Sequence, residues 1–172
     1  MTETYATNDG LDDFQRDPLP SGLNVLTILT FVGCVISLFA SVSGFLRAKT
    51  AFETKDDIIE KLNSGKTPTW VKGFMPDMEH FGELVTKSYE NRIPILILGL
   101  ISIGLCFVGA LQMRKRKKQG FMLYVIGEVL PFLTSAIFIG LFSLTGGVAY
   151  FTFAVAGLFI LMYAGQRKYL MN

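Results

Sequence analysis

Residues 93–142 read IPILILGLISIGLCFVGALQM, then RKRKKQG, then FMLYVIGEVLPFLTSAIFIGLF. Two apolar runs of 21 and 22 residues flank five consecutive cations, Arg114, Lys115, Arg116, Lys117 and Lys118. At about 1.5 Å of rise per residue, roughly 20 helical residues cross the ~30 Å hydrocarbon layer. Neither run alternates with a period of two, and strands span lipid only in closed barrels. Each run therefore reads as one transmembrane helix, with a short basic turn between them.

Working outward, the same pattern recurs at 23–46 and 144–165, which carry no charged residue. Of the 16 Lys and Arg, one lies in 1–22, eight in 47–92, five in 114–118 and two in 166–172. Of the 14 Asp and Glu, five lie in 1–22 and eight in 47–92, leaving only Glu128 inside an apolar run. A soluble core of four all-apolar helices would need far more polar residues to wrap it than 17% charge supplies. The expected fold is all-α: a polytopic integral membrane protein of four transmembrane helices, with a helical extramembrane hairpin between the first and second. Its layout is an acidic tail over 1–22, spans over 23–46, 93–113, 121–142 and 144–165, the hairpin over 47–92, a basic loop over 114–120 and a tail over 166–172. The first run reads as a retained helix rather than a cleaved signal, because five acids and Arg16 alone precede it.

Cation density orients the chain. The five-residue basic run, with Arg167 and Lys168, places the loop over 114–120 and both termini in the cytoplasm and the hairpin outside. The eight cations of 47–92 are spread over 46 residues and weigh less at the span ends. Arg114, Lys115, Arg116, Lys117 and Lys118 are expected to fix topology and to touch anionic lipid headgroups.

Within the hairpin, Ala51, Phe52, Ile58, Ile59 and Leu62 recur at helical spacing, and so do Met78, Phe81, Leu84, Val85 and Tyr89 after a capping Asp77. Gly65, Pro68, Gly73 and Pro76 break any continuous helix between them and favour a chain folded back toward the membrane. There Trp70, Phe74 and Met75 form a candidate contact, either with the interface or with a protein partner. His80 reads as a solvated surface residue. Ser37/Ser41, Ala40/Gly44 and Ala136/Gly140 are small pairs four apart, suited to close helix packing.

Glu128 is the one residue here with chemistry to offer inside the bilayer, about 10 Å in from the start of its span by helix rise. Tyr124 and Ser135 share its face. Pro131 lacks the N–H that would bond the Gly127 carbonyl, so a kink and a freed acceptor are expected. With no cation in any span, the carboxyl is expected in its neutral form. A proton-binding site beside a kink competes with a structural hydrogen bond that holds helices together. Cys34 and Cys106 lie within spans and read as small hydrophobes. There is no nucleophile elbow, phosphate-binding loop, metal-type spacing or cofactor motif, so no enzyme, metal or cofactor is expected. The basic run has no folded basic face around it, so no nucleic acid is expected either.

The stretch GFMLYVIGEVLP at 120–131, placed directly after the basic loop, resembles small four-span membrane proteins of Bacteroidetes-type bacteria whose activity is unassigned. The resemblance implies a bacterial inner membrane and transfers no site residues. Tetraspanin- and claudin-type families carry cysteines in an outer loop, and 47–92 has none. The favoured reading is a non-enzymatic accessory or interaction subunit, in contact with the lipid bilayer and with a membrane-protein partner or a second copy. The alternative is a small oligomeric transporter or channel using Glu128. Four helices are expected to enclose little lumen, so its pathway would form between subunits.

The charge count makes the orientation testable. Cysteines placed by Ser64→Cys and Gln119→Cys, in a background without Cys34 and Cys106, should label oppositely with an impermeant thiol reagent. Ser64→Cys should react on intact cells and Gln119→Cys only after lysis; the reverse pattern would invert the topology.

Overall fold

The structure, a computed structural model, describes residues 21–64, 68, 78–167 and 170. Among these there are six α-helices, one 3₁₀ turn and no strand. The helices are α1 (Ser21–Glu53), α2 (Lys55–Asn63), α3 (Met78–Glu90), α4 (Arg92–Arg114), α5 (Gln119–Phe138) and α6 (Gly147–Gln166). Four of them, α1, α4, α5 and α6, are long and apolar enough to cross a membrane. The chain is a multi-pass, all-α membrane protein.

α1 is 33 residues long and runs past the end of its apolar stretch. At Thr54 it passes into α2 without losing its ladder: Thr54 N–H donates to the Thr50 carbonyl and Ile58 N–H to the Thr54 carbonyl, both at 3.0 Å. Asn91 joins α3 to α4 in the same way, through bonds to the Lys87 carbonyl at 3.0 Å and from Ile95 N–H at 3.1 Å. The hairpin is thus an extension of two spanning helices. Its expected apolar faces meet each other. Phe52 stacks on Tyr89 with centroids 4.7 Å apart, Lys55 Nζ donates to Thr86 Oγ1 at 3.1 Å, and Gly82 leaves room for Ile59. Asn91 Nδ2 also donates to the Phe138 carbonyl at 3.2 Å, tying the α3–α4 junction to the end of α5.

The tightest contact in the molecule is between α4 and α5. A Cβ on Gly109 would lie 2.7 Å from Tyr124 N, one on Gly120 would lie 2.6 Å from the Gly109 carbonyl oxygen, and one on Gly127 would lie 2.9 Å from Cys106 N. Gly120 and Gly127 are two turns apart and share a face, so the two backbones touch along about 10 Å of helix. The turn between the helices closes at once. Arg116 takes the left-handed conformation, φ 60°, while Lys117 N–H returns to the Gln112 carbonyl at 2.9 Å and Arg116 N–H to Met113 at 2.9 Å. This is the Schellman termination, here built on an arginine where glycine is usual.

Two expectations need correction. The third span was expected to run to 142, but α5 ends at Phe138. Gly140 (φ 121°) and Gly146 (φ 99°) adopt conformations that L side chains rarely take, and the 3₁₀ turn Leu141–Leu144 fills the gap before α6. Of the small residues of α1, Ser41 lies against α4, its Oγ 3.7 Å from where a Cβ on Gly99 would be, and the others do not bring helices together. A Cβ on Gly44 meets nothing within 4 Å, and Ser37, Ala40 and Gly44 are exposed. The glycines of α4 and α5 perform that task.

Burial is uneven along the bundle. The buried residues of α1 lie in 23–34 and those of α4 in 102–113, while those of α6 are Ala156 and Tyr163. Because neighbouring spans alternate in direction, nearly all these positions fall in the half next to the basic turn. Leu23, Leu26, Met113, Phe121, Tyr124 and Tyr163 form its core. The other half, beneath the hairpin, is open.

Backbone contact at the glycines gives a stability test in detergent. Gly120→Ala and Gly109→Ala should each lower stability by roughly 1–3 kcal/mol, since the atoms in the way are main chain and cannot step aside. Gly104→Ala, whose added carbon meets nothing within 4 Å, should be neutral or gain up to about 1 kcal/mol from helix propensity. Equal effects at the three positions would refute the close-packed α4–α5 seam.

Candidate functional site

Glu128 sits between helices rather than toward lipid, as its position one turn after Tyr124 requires. Cys106 on α4 meets it, with Sγ 3.6 Å from Glu128 Oε2 and 3.8 Å from the Tyr124 carbonyl oxygen; its single S–H serves one of them at a time. Tyr124, one turn before Glu128 on α5, lines the same cavity. Thr30 on α1 shares a 2.7 Å hydrogen bond with Tyr163 on α6, and the Tyr163 ring tilts against Tyr124 at 4.7 Å between centroids. Cys34, one turn after Thr30, donates weakly to the Ile103 carbonyl at 3.9 Å. Every spanning helix contributes to this polar group, and its only ionisable acid is Glu128. A carboxylate here would be met by neutral donors alone.

Pro131 does what its chemistry dictates. The Gly127 carbonyl has no helical donor, and Ser102 on α4 supplies one from its hydroxyl at 2.6 Å. The freed acceptor is therefore consumed in joining α4 to α5. The same glycine that lets Cys106 approach also presents its carbonyl to Ser102.

Glu128 faces a cavity of about 550 Å³ between the four helices, within the roughly 300–1,000 Å³ range of small-molecule sites. Tyr124, Pro131 and Ser135 line it too, so the four intramembrane residues singled out in the sequence are gathered at one place. Thr30, Cys34, Ser37, Ser41, Ser102 and Thr152 add hydroxyl and thiol groups to the same walls. A single bundle thus borders a ligand-sized space. The cavity exists because the half of the bundle beneath the hairpin is not drawn together by glycine contacts.

The other candidates separate from this site. Arg114 ends α4, and Lys115, Arg116, Lys117 and Lys118 form the turn into α5, at the closed end. Trp70, Phe74 and Met75, with the capping Asp77, lie outside the described residues. His80 is not simply solvated: its ring stacks on Phe142 at 5.2 Å, and Lys87, paired with Glu83 at 2.6 Å, lies over the same ring. Lys87 also holds the Glu83 carboxyl below the usual range, through their hydrogen bond. Among the described residues no three metal-ligating side chains cluster.

Sequence reasoning missed Thr30, Ser102, Cys106 and Tyr163. A signal existed in the first two spans: Thr30/Cys34 and Ser102/Cys106 are both polar pairs four residues apart, which puts each pair on one helix face.

The Ser102–Gly127 bond can be isolated by a double-mutant cycle. Ser102→Ala should destabilise the protein by roughly 1–3 kcal/mol, the cost of a buried acceptor left unpaired. In a Pro131→Ala background the restored N–H can take the carbonyl, so the same substitution should cost much less. Equal losses in both backgrounds would show that Ser102 acts in some other way.

No family model, curated protein or solved structure matches this chain.

Proposed function

We propose that this protein is a small membrane carrier that takes a ligand into the space between its helices and couples occupancy to a proton on Glu128. What supports the reading is one placement: the only intramembrane carboxyl lies against a ligand-sized cavity, with hydrogen-bonding groups from all four helices around it. A lone buried carboxyl that only held helices together would need one partner. Here Cys106 reaches it, and it still borders open space lined by hydroxyl groups. Pro131, where the Gly127 carbonyl depends on a single hydroxyl, is a place where α5 can bend.

With the basic run in the cytoplasm, as the positive-inside rule directs, the closed end faces inward and the cavity lies toward the outside. That is one of the two states an alternating-access carrier needs.

A second reading, an accessory or interaction subunit, is favoured by α6. Val148, Tyr150, Phe151, Leu158 and Leu161 are exposed, and the helix meets the bundle through the Phe132–Phe153 stack and Tyr163. Such a face suits lipid, a second copy or a membrane-protein partner equally well in composition. Purification in mild detergent, with the mass of the intact particle, separates these outcomes.

The carrier reading is tested in liposomes with an entrapped pH dye. An imposed membrane potential should drive proton movement through the wild type, and Glu128→Gln, which keeps shape and hydrogen bonding, should lose most of it. Unchanged flux in Glu128→Gln removes the carboxyl from the mechanism. A wild type no leakier than protein-free liposomes, with or without extracts of candidate ligands, would leave the accessory reading in its place.

A further inference from the structure

A second cavity of about 410 Å³ lies above the first, between α1, α3 and α4. The two share Ala40, Ser41 and Ile95 in their walls, so they form one trough running from the hairpin down toward Glu128. Its chemistry changes with height. Arg47 and Arg92 line the upper cavity. Arg47 follows the last residue of the first charge-free stretch and Arg92 precedes the first residue of the second, so both guanidinium groups belong to the boundary between hydrocarbon and water. Below them Ala40, Gly44, Ile95 and Leu96 make the walls of the upper cavity small or apolar, and Ser41 leads into the hydroxyl-lined space beside Glu128.

The two arginines are positive charges without an anion. Among the described residues no carboxylate lies within ion-pair distance of either. Arg92 is instead held by aromatic faces, 4.5 Å over the Tyr89 ring and 6.0 Å from that of Phe45. These contacts fix its position and leave its fork of N–H donors to be met from elsewhere. Gly44 sits on the trough wall with nothing within 4 Å of where a Cβ would be. Ala40 and Gly44, both exposed, keep this space open.

We propose that the trough is a binding site for one anionic phospholipid, with its phosphate between Arg47 and Arg92 and an acyl chain lying along Ala40, Ser41 and Gly44. Charge complementarity selects the headgroup, because two unpaired guanidinium groups favour a phosphate that can accept from both. The apolar groove beneath them selects an amphiphile over a soluble anion. The basic turn at 114–118 sits at the other end of the bundle, so this site is separate from any headgroup contact there. The inference goes beyond the carrier reading and stands whether or not Glu128 carries protons.

The test uses the full chain in nanodiscs of equal phosphatidylglycerol and phosphatidylcholine, followed by detergent extraction and native mass spectrometry of the lipid retained. The wild type should keep one phosphatidylglycerol per chain. Arg47→Gln with Arg92→Gln should reduce its preference over phosphatidylcholine by roughly tenfold, the order expected for two interfacial cations. Gly44→Leu should expel the bound lipid with both arginines intact, which a simple attraction of surface charge would not do. Lys61→Gln, an exposed cation on α2 that lines neither cavity, should leave the preference unchanged. Thermal unfolding of each variant checks that it is folded, and the exposed Arg47→Gln alone gives a milder reading in the same direction. Undiminished preference in the arginine variants, or lipid retained in Gly44→Leu, overturns the site. Displacement of the lipid by millimolar inorganic phosphate alone would mean a soluble-anion site and overturns it as well.

Discussion

In hydrocarbon no water completes a backbone hydrogen bond, so the carbonyl that Pro131 strands on Gly127 must be met from within the protein. The Ser102 hydroxyl meets it at 2.6 Å, and this requirement sets the register of α4 against α5. It is possible because Gly127 has no side chain to hold the helices apart. Once Ser102 is opposite Gly127, Cys106 one turn later falls opposite Tyr124 and Glu128. Gly109 then meets Gly120 close to the turn. One proline, one hydroxyl and three glycines thus build the rigid pair on which the rest of the bundle is arranged.

That pair also accounts for the open half of the molecule. Between helices in lipid there is little hydrophobic drive to associate, so packing depends on close approach and on polar contacts. Near the basic turn both are present, and Thr30 and Tyr163 draw α1 and α6 onto the α4–α5 pair. Beneath the hairpin the glycines of the seam have run out, and Ser37, Ala40 and Gly44 of α1 are exposed. The cavity follows from where the contacts stop, and the helices around it are regular.

Above the membrane a different force operates. The hairpin helices have apolar faces that gain by leaving water, and Phe52 on Tyr89 and Ile59 over Gly82 show them doing so. The hairpin is coupled to the spans because α1 runs into α2 and α3 into α4 with their ladders unbroken. Asn91 adds a bond to the last turn of α5, and Phe142 in the 3₁₀ turn lies against His80 and Lys87. A movement of the hairpin would therefore be felt at the top of α4 and α5, which border the trough.

Four spans, their order and the hairpin helices were legible in the sequence, because charge distribution and helical periodicity are properties of the chain itself. So was the importance of Glu128 and Pro131, since one ionisable group and one missing N–H stand out in any apolar run. The end of α5 at Phe138 was not, because the left-handed conformations of Gly140 and Gly146 depend on the turn around them. Composition pointed to the small residues of α1 as packing positions, whereas Gly109, Gly120 and Gly127 took that role. Which small residue meets a neighbour depends on how two helices are rotated and offset. The residues that other helices bring to Glu128 and Tyr124 were hidden for the same reason: Thr30, Cys106 and Tyr163 come from three other helices, and no spacing along α5 encodes their meeting. The sequence by itself determined what crosses the membrane and which groups would be costly there. Only the tertiary structure decided how those costs are met, because each is settled by an atom on another helix.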